Sequence, residues 1–279
     1  MSRRRAATAT AVVVLTTTLT ALSTTACTVR EDGALTSAAA PVEAAGNPLA
    51  RIRSAADALA GAGTSRTRTA MEMASGGTRL TITAHGEFDY RARVGQLTVV
   101  LPDRVLRPVT EVITPGKLYM KNRGAGVPDD KWVRVDTTEL SDGNLVTGGV
   151  TDPLIAAELL RGALEVDYVG TARVAGAAVR HYRGTTDLTA AARQAAGPLR
   201  RRLTAAANGF ATPLVPFDAY FDDEGRLRKV RHEFVFDNSQ GQGVKVASTT
   251  SLYGFGAPVR IRMPEQGEIY TGRISMEGE

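Results

Sequence analysis

The chain reads as an α+β protein built on one large antiparallel sheet with its helices collected on one face. Three observations predict this. Between residues 65 and 262, polar and apolar residues mostly alternate with period two, in short runs punctuated by glycine, proline and aspartate. Helical spacing is confined to stretches near residues 48–60, 152–160 and 188–207. The strands follow one another directly, which fits a meander and not βαβ units. A sheet of this size curls, with an apolar inner face and an outer face that meets water.

Ahead of this pattern lies a different kind of sequence. Arg3, Arg4 and Arg5 form a positive start, Ala11 to Leu22 an apolar, threonine-rich core too short to span a bilayer comfortably, and small residues follow. This is the layout of an export signal over residues 1–26. Thr24-Thr25-Ala26-Cys27 puts a cysteine directly after small residues, where signal peptides are cut, and resembles a bacterial lipobox. The resemblance implies a diacylglycerol thioether on Cys27 and cleavage before it. The mature chain would then hang by fatty-acyl chains, palmitate among them, from the extracytoplasmic face of the cell membrane. The alternative is a secreted protein with an incidental cysteine. Cys27 is the only cysteine, so no internal disulfide can form, and acylation removes what would otherwise be a lone exported thiol.

Loss of the signal changes the charge argument. The whole chain of 279 residues carries a formal +5, and the removed segment takes three arginines and no acid with it, leaving +2. That balance gives no reason to expect a nucleic-acid partner. No second apolar run approaches membrane-spanning length.

Residues 27–46 are small, polar and alanine-rich, without apolar periodicity, and are expected to form a flexible tether for one domain over residues 47–279. Asn47-Pro48 opens a helix, with Asn47 as cap and Pro48 where its missing N–H is harmless. Leu49, Ile52, Ala56 and Leu59 form its apolar stripe, and it ends near Gly61-Ala62-Gly63. Thr67, Thr69, Met71 and Met73 then alternate with Arg66, Arg68 and Glu72. After Gly76-Gly77, Leu80, Ile82 and Ala84 alternate with Arg79, Thr81 and Thr83. Further strands are expected at Gly86 to Tyr90, Val94 to Leu101, Val109 to Thr114, Lys117 to Lys121 and Lys131 to Val135. Asp152-Pro153 caps and starts a second helix, which Gly162 stops. Strands follow at Leu164 to Val174 and Ala177 to Thr186. The helical stretch from Leu188 to Ala207 is interrupted at Gly197-Pro198, which predicts a kink or two short helices. Pro213 to Phe221 and Arg226 to Asp237 form a hairpin around Asp222-Asp223-Glu224-Gly225, and Val244 to Tyr253 and Val259 to Arg262 complete the sheet.

The order of elements now carries a family resemblance. The segment Tyr168-Val169-Gly170-Thr171 through Val174-Ala175-Gly176 to His181-Tyr182-Arg183 contributes to it. So do Val215-Pro216-Phe217 leading into Asp222-Asp223-Glu224-Gly225-Arg226-Leu227, and the late Gly256-Ala257-Pro258-Val259 with Pro264. Together they resemble the LppX/LprG type of actinobacterial envelope lipoprotein over Pro48 to Pro264, in pattern more than in any invariant motif. The resemblance implies a LolA-like fold, a strongly curved antiparallel half-barrel with helices packed on its concave face. It also implies a role in carrying or presenting a lipid or lipidated glycan at the cell envelope. The Pro198 break, the Arg200-Arg201-Arg202 triplet and the low aromatic content depart from it.

Such a fold suits lipid because helices cannot follow a curved sheet, and alkyl chains fill an apolar gap with a gain proportional to buried area. The candidate lining set is Met71, Met73, Leu80, Ile82, Leu118, Met120, Phe217, Phe221, Phe234 and Phe236. Periodicity alone does not distinguish a lined cavity from a filled core. Arg200, Arg201 and Arg202 are candidates for contact with an anionic head group or membrane, against the alternative of a solvated helix face.

Catalytic motifs do not occur: there is no Gly-x-Ser-x-Gly, Walker-type loop, Gly-x-Gly-x-x-Gly or His-Glu-x-x-His. No cofactor, metal or catalytic residue is therefore expected, and the chain does not read as an enzyme. His85, His181 and His232 lie far apart in separate strands and read as hydrogen-bonded strand residues. Asp222-Asp223-Glu224 and Asp129-Asp130 read as solvated turns, and Trp132 as a packing anchor. Three function classes remain: a lipid-binding lipoprotein, a tethered regulatory or adaptor domain acting on a membrane-protein partner, and a hydrolase with an unrecognised site.

Overall fold

The structure, a computed structural model, describes residues 47–75, 77–102, 107–237 and 243–272. The export signal, Cys27 and the tether lie outside the described residues.

Eleven strands form one antiparallel sheet, and their order follows from two meanders. The first runs β1 (Thr64–Ser75), β2 (Thr78–Asp89), β3 (Val94–Val100), β4 (Val109–Thr114), β5 (Lys117–Lys121) and β6 (Trp132–Asp136). The second runs β7 (Ala163–Val174), β8 (Ala177–Asp187), β9 (Leu214–Phe221), β10 (Leu227–Asp237) and β11 (Gly243–Tyr253). Pairing of β1 with β11 joins them, from Arg66 opposite Tyr253 to Ala74 opposite Lys245. The strands at the two edges, β6 and β7, are thus consecutive in sequence.

This topology dictates what fills the inner face. Residues 137–162 connect one edge to the other, past strands spaced about 4.8 Å apart, and a curled sheet shortens the distance they must cover. The connection includes α3 (Pro153–Glu158) and a 3₁₀ turn (Leu159–Gly162), and residues 149–160 are buried without exception. Thr151 Oγ1 donates to Leu145 O at 2.8 Å and accepts from Ser248 Oγ on β11 at 2.7 Å. The remaining helices, α1 (Pro48–Arg53), α2 (Ala55–Ala62), α4 (Leu188–Gln194) and α5 (Gly197–Gly209), share that face. Their alanines at positions 55, 56, 191, 192 and 206 are buried, which lets the backbones lie close to the sheet.

The local signals are where the sequence places them. The Asn47 side chain accepts from Leu49 N at 3.0 Å and Ala50 N at 3.4 Å, and Asp152 accepts from Ile155 N at 2.9 Å. The helical stretch after Leu188 is two helices, separated by extended Ala195 and Ala196, with Gly197 at φ 54. Three expectations are corrected. The first helix is interrupted at Ser54, whose Oγ donates to Arg51 O and competes with the helical pattern. The strands expected on either side of His85 are one, β2; Gly86 is a close approach, since a Cβ there would sit 2.0 Å from Gln96 O. Residues 259–262 are not a strand: Arg260 N donates to Glu87 Oε1 at 2.7 Å and Arg262 N to Gln96 Oε1 at 3.4 Å. Interior strands already have two neighbours, so this segment bonds to outer-face side chains instead of a ladder.

Candidate functional site

The inner face carries an apolar track, and register shows how it is assembled. Met71 pairs with Ile82 and Met73 with Leu80 across β1 and β2. Met73 also pairs with Val246, which pairs with Phe234, while Phe236 pairs with Val244. Alternation places all of these on the inward side of neighbouring strands. Their burial grades along the strands. Met71, Ile82, Phe234 and Val246 are buried, Met73, Phe236 and Val244 half-buried, and Leu80 is 46% exposed. Beyond the reach of the covering helices, the track therefore opens to solvent at the end bearing the β1–β2 and β10–β11 turns.

Six of the ten lining candidates, Met71, Met73, Leu80, Ile82, Phe234 and Phe236, meet in this track. Leu118 and Met120 lie on β5, four strands from β1, and Phe217 and Phe221 on β9; all four pack in or against the core. Phe210, which follows α5, joins the two groups of helix and sheet. Its ring centroid lies 4.9 Å from that of Phe234 and 4.4 Å from that of Phe236.

Among the described residues, the interior behind the track is packed by the chain's own side chains. A small, partly open cavity of about 50 Å³ remains under α3 and α5, among Phe88, Ile113, Leu154, Ile155 and Leu199. Arg202 reaches it from α5. Its Nε donates to Gly143 O at 2.9 Å, its Nη1 pairs with Asp152 Oδ2 at 3.3 Å, and its Nη2 has no hydrogen-bond partner. Burial pulls the Arg202 guanidinium below its usual range, with Asp152 opposing the shift. The arginine triplet is therefore divided: Arg200 and Arg201 are exposed, whereas Arg202, at 5% exposure, turns inward and does not share their surface.

The inner face is also more polar than an apolar cavity needs. Thr67 and Thr69 on β1, Thr250 on β11 and His232 on β10 are buried, and Thr67 Oγ1, Thr69 Oγ1, Thr250 Oγ1 and His232 Nε2 have no hydrogen-bond partner. Thr69 faces Thr250, and His232 faces Ser248. Desolvation drives the His232 imidazole down to about 3, so it stays neutral. This corrects the expectation of a fully hydrogen-bonded ring. Ser65 and Tyr90 satisfy each other at 2.6 Å. Glu111, inward on β4 opposite Leu97, is buried and pushed up to about 8, with Arg123 pulling the other way. Strand alternation places Thr67 and Thr69 inward, and it does the same for Glu111, in phase with Val109 and Ile113, and for His232, in phase with Val230 and Phe234.

Other groups singled out by sequence lie elsewhere. His85 faces outward, and His181 Nε2 meets Asp218 Oδ1 at 2.6 Å with its ring stacked on Tyr220. Asp222 is not a solvated turn residue: it is buried, and its Oδ1 accepts from Arg226 N at 2.8 Å and its Oδ2 from Arg226 Nε at 2.9 Å. Trp132 is buried, with Lys121 Nζ 5.8 Å from the ring centroid. Among the described residues, no group of three or more His, Cys, Asp or Glu side chains is placed to hold a metal ion.

Neither a protein-family model nor a curated protein matches this sequence. Solved structures do. Lipoprotein LppX of Mycobacterium tuberculosis is 14% identical, with a TM-score of 0.48 over 77% of this chain and 97% of its own. LprF of Mycobacterium bovis is 16% identical, with a TM-score of 0.40 over 77% and 96%. A LolA superfamily protein from Nitrosomonas europaea is 10% identical, with a TM-score of 0.33 over 79% and 96%. The fold assignment itself rests on the strand order and packing described above.

Proposed function

We infer that the chain is a membrane-anchored lipoprotein, acylated on Cys27 once residues 1–26 are removed, which binds a lipid or lipidated glycan through its inner face and carries or presents it at the cell envelope. The observation that carries this reading is the apolar track from exposed Leu80 through Met73 to buried Met71, Ile82 and Phe234. Alkyl chains laid along it gain about 0.8 kcal/mol per buried methylene. Unpartnered hydroxyls deeper in suit ester oxygens, which accept hydrogen bonds and donate none. Because the void is only about 50 Å³, a chain advances inward as the covering pieces shift, and the break at Ala195-Ala196-Gly197 is where α5 can swing. Among the described residues no helix is long and apolar enough to cross a membrane.

The filled interior favours a second reading, a tethered adaptor that acts on an envelope membrane protein without internal cargo. Native mass spectrometry of material from its own cell separates the two. A bound lipid lost on Leu80→Asp with folding intact supports the carrier. Lipid-free protein, or lipid retained by the variant, defeats it. An unmodified thiol at Cys27 in the same material would remove the anchor.

A further inference from the structure

We propose that the outer face of the sheet, opposite the apolar track, binds an anionic saccharide whose acid is a carboxylate or a phosphate. Two adjoining depressions cross β3, β2, β1 and β11 there. One, of about 560 Å³, is lined by Arg68, Thr83, His85, Thr249, Ser251 and Tyr253. The other, of about 260 Å³, shares His85 and Tyr253 and adds Arg66, Gln96 and Thr98. The larger lies within the range of about 300–1,000 Å³ common for small-molecule sites.

Of the cations in this groove, Arg68 has no acidic residue opposite it in either neighbouring strand. Among the described residues, neither Arg66 nor Arg68 forms an ion pair within 4 Å; Glu87, which lines the smaller depression and faces Arg66 by register, accepts from the Arg260 amide at 2.7 Å. Arg68 instead lies over the Tyr253 ring, 5.3 Å from its centroid, which orients the guanidinium without neutralising it. The same arrangement recurs along the row. By register, His85 faces Arg68, Arg68 faces Ser251, Ser251 faces Lys229 and Lys229 faces Tyr220, with Lys229 Nζ 5.2 Å from the Tyr220 centroid. Cations resting on aromatic faces beside hydroxyl-bearing threonine and serine match a ligand that is both acidic and rich in hydroxyls. The groove holds no large aliphatic side chain of the kind that inserts into a bilayer, since its apolar members are Ala70 and Ala84. A sugar chain lying across the strands fits; a membrane surface does not.

The test titrates the full chain, held in mild detergent, with tetragalacturonate, maltose 1-phosphate and neutral maltotetraose by isothermal calorimetry. Vesicles of phosphatidylcholine and phosphatidylglycerol form a separate arm. Saturable binding of one or both acidic sugars is expected, weakening as salt rises, with maltotetraose at least about tenfold weaker. Carboxylate and phosphate are distinguished by which acidic sugar binds. Arg66→Gln and Arg68→Gln should each weaken it about tenfold, and Tyr253→Ala several-fold, with the melting curve unchanged because both arginines are exposed. Equal affinity for maltotetraose, no saturable binding of either acidic sugar, insensitivity to the arginine variants, or binding to vesicles alone would each overturn the proposal.

Discussion

Replacing Asp152 with Asn should test how the covering layer is held down. The carboxylate has two tasks: Oδ1 caps α3 through Ile155 N, and Oδ2 faces the Arg202 guanidinium at 3.3 Å, both residues being 5% exposed at the side chain. Asn keeps an oxygen for the cap and removes the charge, leaving Arg202 buried with Gly143 O as its hydrogen-bond acceptor and the more distant Asp142 as its remaining carboxylate. Breaking one side of a buried pair costs about 3–5 kcal/mol. The lower end, about 3 kcal/mol, applies here because the contact is loose and one guanidinium nitrogen is already unpartnered. Asp152→Ala also loses the cap, about 1 kcal/mol more. Arg202→Met strands the carboxylate and costs a similar 3 kcal/mol, whereas Asp152→Asn with Arg202→Met should fall well short of the summed single costs. Urea unfolding of the four proteins, followed by circular dichroism at pH 7, closes the cycle. A coupling below about 0.5 kcal/mol would refute the claim that this pair ties α5 to α3.

Three further outcomes follow from buried groups. Glu111 titrates near 8 in the folded protein and 4.5 when unfolded, so the folded state holds the proton more tightly and stability falls as pH rises between those values. Glu111→Gln should abolish that slope in urea midpoints and gain on the order of 3–4 kcal/mol over the wild type at pH 8 relative to pH 4. His232 behaves oppositely: neutral when folded down to about 3 and charged below 6.5 when unfolded, it makes stability drop as pH falls through that window. His232→Phe should flatten this acid limb. Gly143 has φ 61, and a Cβ there would lie 2.1 Å from Arg202 O, so Gly143→Ala should lower stability by at least about 2 kcal/mol, read as a reduced urea midpoint.

The parts of this molecule that are legible in the chain are those whose causes are local. Asn47-Pro48 and Asp152-Pro153 announce helix starts because the capping oxygen and the amides it satisfies are two or three residues apart. The Gly197-Pro198 interruption is visible because backbone restriction acts within a residue or two. Alternation finds nearly all the strands and puts Met71, Met73, Ile82, Phe234 and Phe236 on the inward side. It assigns Leu80 the same side correctly, yet exposure depends on how far the helices extend along the strand.

Composition and period therefore determined an antiparallel sheet with helices on one face and the identity of its inward residues. Tertiary structure decided which strands are neighbours, because the pairing of β1 with β11 joins segments nearly the whole domain apart and has no local signature. That pairing leaves β6 and β7 at opposite edges, sends residues 137–162 across the inner face, and so decides that the interior is filled rather than hollow. It likewise turns Arg202 inward while Arg201 faces water, and buries Glu111 and His232. Whether a charged side chain meets solvent depends on what lies above it, and that is settled only when distant pieces of chain pack together.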